Sequence, residues 1–205
     1  MSIGIIGAGA LGSNVARLLA RSGIPATIAN SRGPQSLAGL VGELGPSIKA
    51  GAVEEAASAD IVLVAVRWVD LEKALGGLPA WNGRIVIDGA NAVAFLDPDS
   101  PDAKDPSNPL AAYGIKAIDL GAKHSSQAFR ALVPGARVVK AFNHLDANAL
   151  TEPTVAGGQR VLFYSGDDFA AKVEVRKLIE QTGLDRKSTR LNSSHALTSR
   201  MPSSA

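Results

Sequence analysis

Gly7-Ala8-Gly9-Ala10-Leu11-Gly12 has the spacing Gly-x-Gly-x-x-Gly and directly follows the apolar run Ile3-Gly4-Ile5-Ile6. In such an arrangement each glycine has a steric task. Gly7 permits a tight turn out of a strand, Gly9 lets the backbone approach a pyrophosphate, and Gly12 allows the following helix to pack against the sheet. Backbone N–H groups at that helix N-terminus, with the positive end of its dipole behind them, would hold the pyrophosphate. The spacing alone is weak in a chain with 21 glycines, so its surroundings decide. Leu11, Val15, Leu18 and Leu19 recur at helical spacing, Ser22-Gly23 closes that helix, and Pro25-Ala26-Thr27-Ile28-Ala29 supplies a second strand. The glycines therefore sit where a dinucleotide-binding turn requires them.

Asn30-Ser31-Arg32, at the end of the second strand, points to NADP rather than NAD. NAD sites usually place Asp or Glu here to accept from the ribose 2′-hydroxyl, and that carboxylate would repel a 2′-phosphate. No carboxylate lies between Gly4 and Glu43. Ser31 instead offers a hydroxyl, and Arg32 a guanidinium fork suited to phosphate oxygens. A charge-assisted hydrogen bond of this kind is worth about 1.5–3 kcal/mol, or about ten- to a hundredfold in affinity.

A chain of 205 residues, 46% hydrophobic, suits one domain of ordinary size. No run approaches the roughly 20 apolar residues of a membrane span, and the first strand begins too early for a signal peptide. The absence of cysteine excludes disulfides, thiolate metal sites and iron–sulfur clusters and leads us to expect a cytoplasmic protein, and with no spanning run no membrane partner is expected. The net charge of +2 hides an asymmetry: residues 185–205 carry +3, leaving −1 on the remainder. The basicity thus belongs to the tail, and no nucleic-acid partner is expected. Residues 185–195, Asp-Arg-Lys-Ser-Thr-Arg-Leu-Asn-Ser-Ser-His, also read codon for codon as a translated short-read sequencing adapter. Native sequence is expected to stop near Leu184, with residues 185–205 a non-native, disordered tail.

Strand and helix patterns alternate along residues 1–184, as a doubly wound, mostly parallel α/β sheet in three αβα layers requires. Strands are expected at Ile3 to Ile6, Ala26 to Asn30, Ile48 to Ala50, Ile61 to Val66, Arg84 to Asp88, Arg137 to Phe142 and Arg160 to Ser165. Helices are expected after the glycine turn, from Pro34 to Leu44, Val53 to Ala59, Leu71 to Leu75, Ser125 or Ser126 to Leu132 under a serine cap, and Phe169 to Gln181. Asp97 to Pro109, with four prolines among acids and serines, reads as a loop.

The chain resembles the small NADPH-dependent reductases of coenzyme F-420, an 8-hydroxy-5-deazaflavin. The resemblance runs from Met1 to about Leu184. It rests on Ile3 to Gly12, on Asn30-Ser31-Arg32, and on Pro134-Gly135-Ala136-Arg137-Val138-Val139-Lys140-Ala141-Phe142-Asn143, with Gly166-Asp167-Asp168 after the final strand. It implies a Rossmann-type NADP-binding domain over residues 1–184 that passes hydride from NADPH to a deazaflavin. Similar modules form the cytosolic part of membrane metalloreductases, where a flavin takes the hydride. By the same resemblance, Ser31 and Arg32 would hold the 2′-phosphate, and Ala10 and Leu11 would offer amides to the pyrophosphate. Val66, Arg67 and Trp68 would line the adenosine or ribose side. Ala90, Asn91, Ala141 and Asn143 would border the nicotinamide. The stretch Asp97 to Pro109 departs from any readable pattern.

Hydride transfer between planar rings needs stacking and exclusion of water, so no side chain is nominated as a general acid. His144 reads as a structural loop histidine, Lys123 and His124 as surface residues, Lys140 as locally paired, and Asp88-Gly89 as a strand-ending turn. Two alternatives stay open: an NADP-binding sensor without catalysis, and a reductase of a small imine or hydroxy acid. The expected cofactor is NADP, with coenzyme F-420 or flavin as co-substrate, and a homodimer is the expected assembly. No metal site is expected.

Overall fold

Strands covered by helices on both sides need mostly apolar residues, and the chain supplies four short runs in which Thr27 and the terminal Asp88 are the only polar side chains. The computed structural model describes residues 1–189. In chain order it contains β1 (Ile3–Ile6), α1 (Ala10–Arg21), β2 (Ala26–Ala29), α2 (Ala38–Leu44), β3 (Ile48–Ala50), α3 (Val53–Ala57), β4 (Ile61–Val64), α4 (Leu71–Leu75) and β5 (Ile85–Asp88). There follow β6 (Val93–Phe95), β7 (Ile115–Ala117), α5 (Ser125–Leu132), β8 (Arg137–Ala141), β9 (Thr154–Val155), β10 (Gly158–Gln159), β11 (Val161–Ser165), α6 (Phe169–Gln181) and β12 (Asp185–Thr189).

Eight strands form one sheet in the order β12-β11-β8-β5-β4-β1-β2-β3. All neighbours are parallel except β8 and β11. The four residues each of β1, β2, β4 and β5 are all buried. Their side chains nonetheless alternate. Ile3, Ile5, Leu63 and Ile87 join the core under α1, α2 and α6, whereas Ile6, Val62, Val64 and Val86 join the core under α3, α4 and α5. This is the expected three-layer, Rossmann-type α/β fold. After β1 the chain winds to one side through β2 and β3, and then returns to the other through β4, β5 and β8. The switch falls between β1 and β4, where crevices form at the carboxyl ends of strands.

Several local expectations are corrected. The helix expected from Pro34 begins as a 3₁₀ turn, Pro34–Leu37, and becomes α-helical only at Ala38. His124, not a serine, caps α5: its backbone N–H donates to Gln127 Oε1 at 3.0 Å. The proline-rich stretch is bracketed by an antiparallel pair, β6 and β7, and contains the 3₁₀ turn Pro101–Lys104. The tail expected to start unstructured at residue 185 first contributes β12, paired in parallel with β11; residues 190–205 lie outside the described residues. Among the described residues no helix is long and apolar enough to cross a membrane.

Candidate functional site

A cleft of about 300 Å³ opens at the switch point. Gly9, Ala10 and Leu11 come to it from the turn after β1, Ala65 to Trp68 from the exit of β4, Gly89 to Asn91 from the exit of β5, and Phe142, Asn143, Leu145 and Ala147 from the segment after β8. Val93 and Phe95 of β6 close it on the remaining side. Four strand exits converge because the parallel sheet points their carboxyl ends the same way.

The three motif glycines differ in what confines them. Gly7 has φ +106°, a conformation that L side chains rarely adopt, and donates its N–H to Ala29 O at 2.8 Å. A Cβ on Gly12 would lie 1.8 Å from Gly7 O, so only glycine lets α1 start this close to the turn. A Cβ on Gly9 would meet nothing within 4 Å of protein. Gly9 is therefore left bare toward the cleft, which fits a backbone that must admit a phosphate. Gly7 and Gly12 stand behind the cleft wall rather than in it.

Asn30, Ser31 and Arg32 lie outside the cleft lining, on the loop after β2. Asn30 Oδ1 accepts from Arg32 N at 2.9 Å and Asn30 Nδ2 donates to Ser36 Oγ at 3.0 Å, while Ser36 Oγ donates to Gly33 O at 2.7 Å. These bonds hold the loop and leave the side chains of Ser31 and Arg32 exposed. The Arg32 guanidinium forms no hydrogen bond or ion pair among the described residues. The loop thus offers, among the described residues, an unengaged cation after β2, whose end is tied to the β1 turn. Arg67, by contrast, is paired with Asp70 at 2.9 Å.

On the opposite side, Asn91 and Asn143 interlock: Asn91 Nδ2 donates to Asn143 O at 2.7 Å, and Asn143 Nδ2 donates to Asn91 Oδ1 at 2.9 Å. Ala90 borders the cleft. Ala141 does not: it is wholly enclosed, and the next residue, Phe142, reaches the cleft with φ +65°. Beneath them Asp88, 0% exposed, receives Lys140 Nζ at 2.8 Å. Burial pushes the Asp88 carboxyl upward, against the pull of the Lys140 ammonium and of Ala90 N–H.

His144 lies outside the cleft lining. Its Nε2 accepts from Phe163 N at 3.3 Å, and its ring packs edge-on against Phe163 with centroids 5.2 Å apart. Burial holds its pKa below the ordinary histidine value. It is a structural side chain tying the loop after β8 to β11. Sequence reasoning missed Ala65, Gly89, Val93, Phe95, Phe142, Leu145 and Ala147. Gly89 and Phe142 directly follow strands, and that position alone is a signal for them. Val93 and Phe95 stand on a strand too short for periodicity to reveal. Asn14 was also unmarked: buried in α1, it donates to Ala147 O at 2.9 Å and so fixes one cleft wall.

Residues 2–92 match the family described as NADP oxidoreductase, coenzyme F420-dependent. That match ends before the Pro134 to Asn143 stretch. Among solved structures, the chain is similar to a hypothetical protein, SMa0349, from Sinorhizobium meliloti, at 38% identity and TM-score 0.79, covering 93% of this chain and 85% of that one. It is also similar to a candidate F420-dependent NADP-reductase from Arthrobacter sp. FB24, at 25% identity and TM-score 0.69, covering 93% and 84%. A reductive aminase from Aspergillus terreus in complex with NADPH4, cyclohexanone and allyl amine shares the fold at 17% identity and TM-score 0.60; the alignment covers 92% of this chain and 54% of the aminase. No curated protein matches the chain.

Proposed function

This chain belongs to the family of coenzyme F420-dependent NADP oxidoreductases, and on that premise we propose that it transfers hydride between NADP(H) and a deazaflavin or flavin. The observation that carries the reading is the cleft at the switch point, with a bare Gly9 turn at one end and interlocked Asn91 and Asn143 at the other. In this reading Gly9, Ala10 and Leu11 present backbone to the pyrophosphate, with Gly7 and Gly12 shaping the turn. Ser31 and Arg32, held by Asn30, bind the 2′-phosphate. Val66, Arg67 and Trp68 flank the ribose side, and Ala90, Asn91 and Asn143 border the nicotinamide. Phe142 takes the bordering place expected of Ala141, which supports it from within.

The nicotinamide, when bound, supplies the hydride. The protein's part is to stack two rings and keep water out. Arg67 is the only charged side chain among the lining residues, and it is paired with Asp70. A carbonyl reduced to an alcohol needs a positioned proton donor. A deazaflavin or flavin instead spreads the incoming charge over its ring system and takes its proton from solvent. That lining, among the described residues, offers no ordinary general acid, which supports the ring acceptor over a ketone as substrate. Small-molecule cofactors are the proposed partners, in the cytoplasm, with a homodimer as the proposed assembly.

The test is NADPH oxidation with coenzyme F-420, flavin, ferric chelate and a small imine in parallel. Turnover with deazaflavin or flavin is expected. Turnover only with a small carbonyl or imine overturns the acceptor, and NADPH binding without any turnover makes the chain a sensor.

A further inference from the structure

Lys140 is an unusual residue for the interior of a strand near the middle of the sheet. It lies directly across from Asp88 in the register of β5 and β8, with Asp88 fully buried and Lys140 15% exposed. An ion pair taken out of water costs solvation on both partners, and apolar residues of similar size often stabilise a fold as well or better. The neighbouring positions on this face, Val86 and Val138, are apolar. Core packing therefore gives no reason for the pair, and its other contacts do.

Lys140 Nζ donates not only to Asp88 Oδ2 but also to Ala90 O, at 2.8 Å. Asp88 Oδ1 accepts from Ala90 N at 3.0 Å. Both backbone polar groups of Ala90 are thus held by one buried ion pair. Ala90 lines the cleft, and the next residue, Asn91, is locked to Asn143. Asn143 lies three residues beyond Lys140 on the same strand exit, past the positive φ of Phe142. The contacts close a ring: Lys140 to Asp88 and Ala90, onward to Asn91, across to Asn143, and back through Phe142. The same loop touches the glycine turn, because Gly89 lies against Leu11, where an added Cβ would come within 2.9 Å of Leu11 Cδ2.

We infer that Lys140, acting through Asp88 and Ala90, is a positioning residue that sets the floor of the cleft at the end opposite Arg32 before any ligand arrives. The inference rests on the placement of the nicotinamide at that end and of the 2′-phosphate at Arg32. Preorganisation of this kind strengthens binding only for the part of a ligand that rests on the floor.

The test compares two ligands in the variant Asp88→Asn/Lys140→Met, which removes both charges and keeps an acceptor for Ala90 N. By titration calorimetry, affinity for NADP+ is expected to fall about tenfold or more, while affinity for 2′,5′-ADP, which lacks the nicotinamide, stays within about twofold. Equal losses for both, as a merely structural pair would give, overturn the proposal, as does no loss for either. Amide exchange of the unliganded wild type gives a ligand-independent arm that needs no variant. Ala90 N–H is expected to be protected already, and an Ala90 amide that exchanges freely until NADP+ is added overturns the proposal. If wild type binds neither ligand, the functional reading fails, and the exchange of Ala90 still decides whether the pair holds the floor.

Discussion

Asn30 Oδ1 accepts from the backbone N–H of Arg32 at 2.9 Å, so the first residue of the loop fixes the residue whose guanidinium has no partner among the described residues. The side chain that carries the charge and the side chain that aims it are therefore different.

Arg32→Ala should weaken NADPH by about ten- to a hundredfold while leaving NADH within about twofold, since only the former has the extra phosphate. Fluorescence titration of both dinucleotides checks this, and equal losses would remove Arg32 from the phosphate site. Asn30→Asp should keep the turn, because the carboxylate still accepts from Arg32 N, yet reverse the preference by placing a negative charge beside the phosphate. An Asn30→Asp protein that still prefers NADPH would show that the preference is set elsewhere.

The motif glycines should separate stability from binding. Gly12→Ala forces a Cβ to within 1.8 Å of Gly7 O and should cost about 3 kcal/mol or more, with loss of binding as a consequence. Gly9→Ala meets no protein atom and should lower stability by only about 1 kcal/mol, the preference for glycine over alanine at an N-cap position. Its NADPH affinity should nonetheless fall about tenfold. Unfolding and binding measured on both variants distinguish the roles. A Gly9→Ala protein that binds as well as wild type would place the pyrophosphate elsewhere.

The Asn91 and Asn143 side chains bridge two strand exits at the surface, so their loss should be felt in turnover more than in stability. Asn143→Ala should cost about 1 kcal/mol or less in unfolding and lower kcat for NADPH oxidation about tenfold, with KM for NADPH changed less. A loss confined to KM would assign the residue to ground-state binding instead.

Acid should expose the clamp between Arg137 and Asp168. The two Asp168 oxygens accept from Arg137 Nε and Nη2 at 2.7 and 2.8 Å, and Asp168 Oδ1 also accepts from Ala171 N at the start of α6. The Arg137 guanidinium, followed by that backbone N–H, holds the carboxyl far below the usual carboxylate range. A folded pKa below the unfolded one means stability that is fully present above about pH 4 and lost as pH falls through the folded value. Urea unfolding from pH 7 to about pH 2 should show wild type losing its advantage over Asp168→Asn only below about pH 4. A difference that is constant across that range would show that the carboxylate's charge plays no part.

The helix–strand alternation was legible because buried parallel strands tolerate mostly apolar runs, and β1, α4 and α6 fall on the residues that periodicity selects. The glycine turn was legible for the same reason: backbone geometry restricts residue type locally. What periodicity could not reveal is β6, β7, β9 and β10, each two or three residues long. The His124 cap also escaped, because either serine after it is a plausible cap.

Local sequence by itself determined the turn after β1, the charge character of the loop after β2, and the order of the longer strands and helices, since each depends on residues adjacent along the chain. Only the tertiary structure decided that Ala141 is enclosed while Phe142 meets the cleft, that Val93 and Phe95 form its far wall, and that Lys140 grips Ala90. Those outcomes depend on strand register and on contacts between residues some fifty positions apart, where a shift of one residue would turn each side chain to the other face of the sheet.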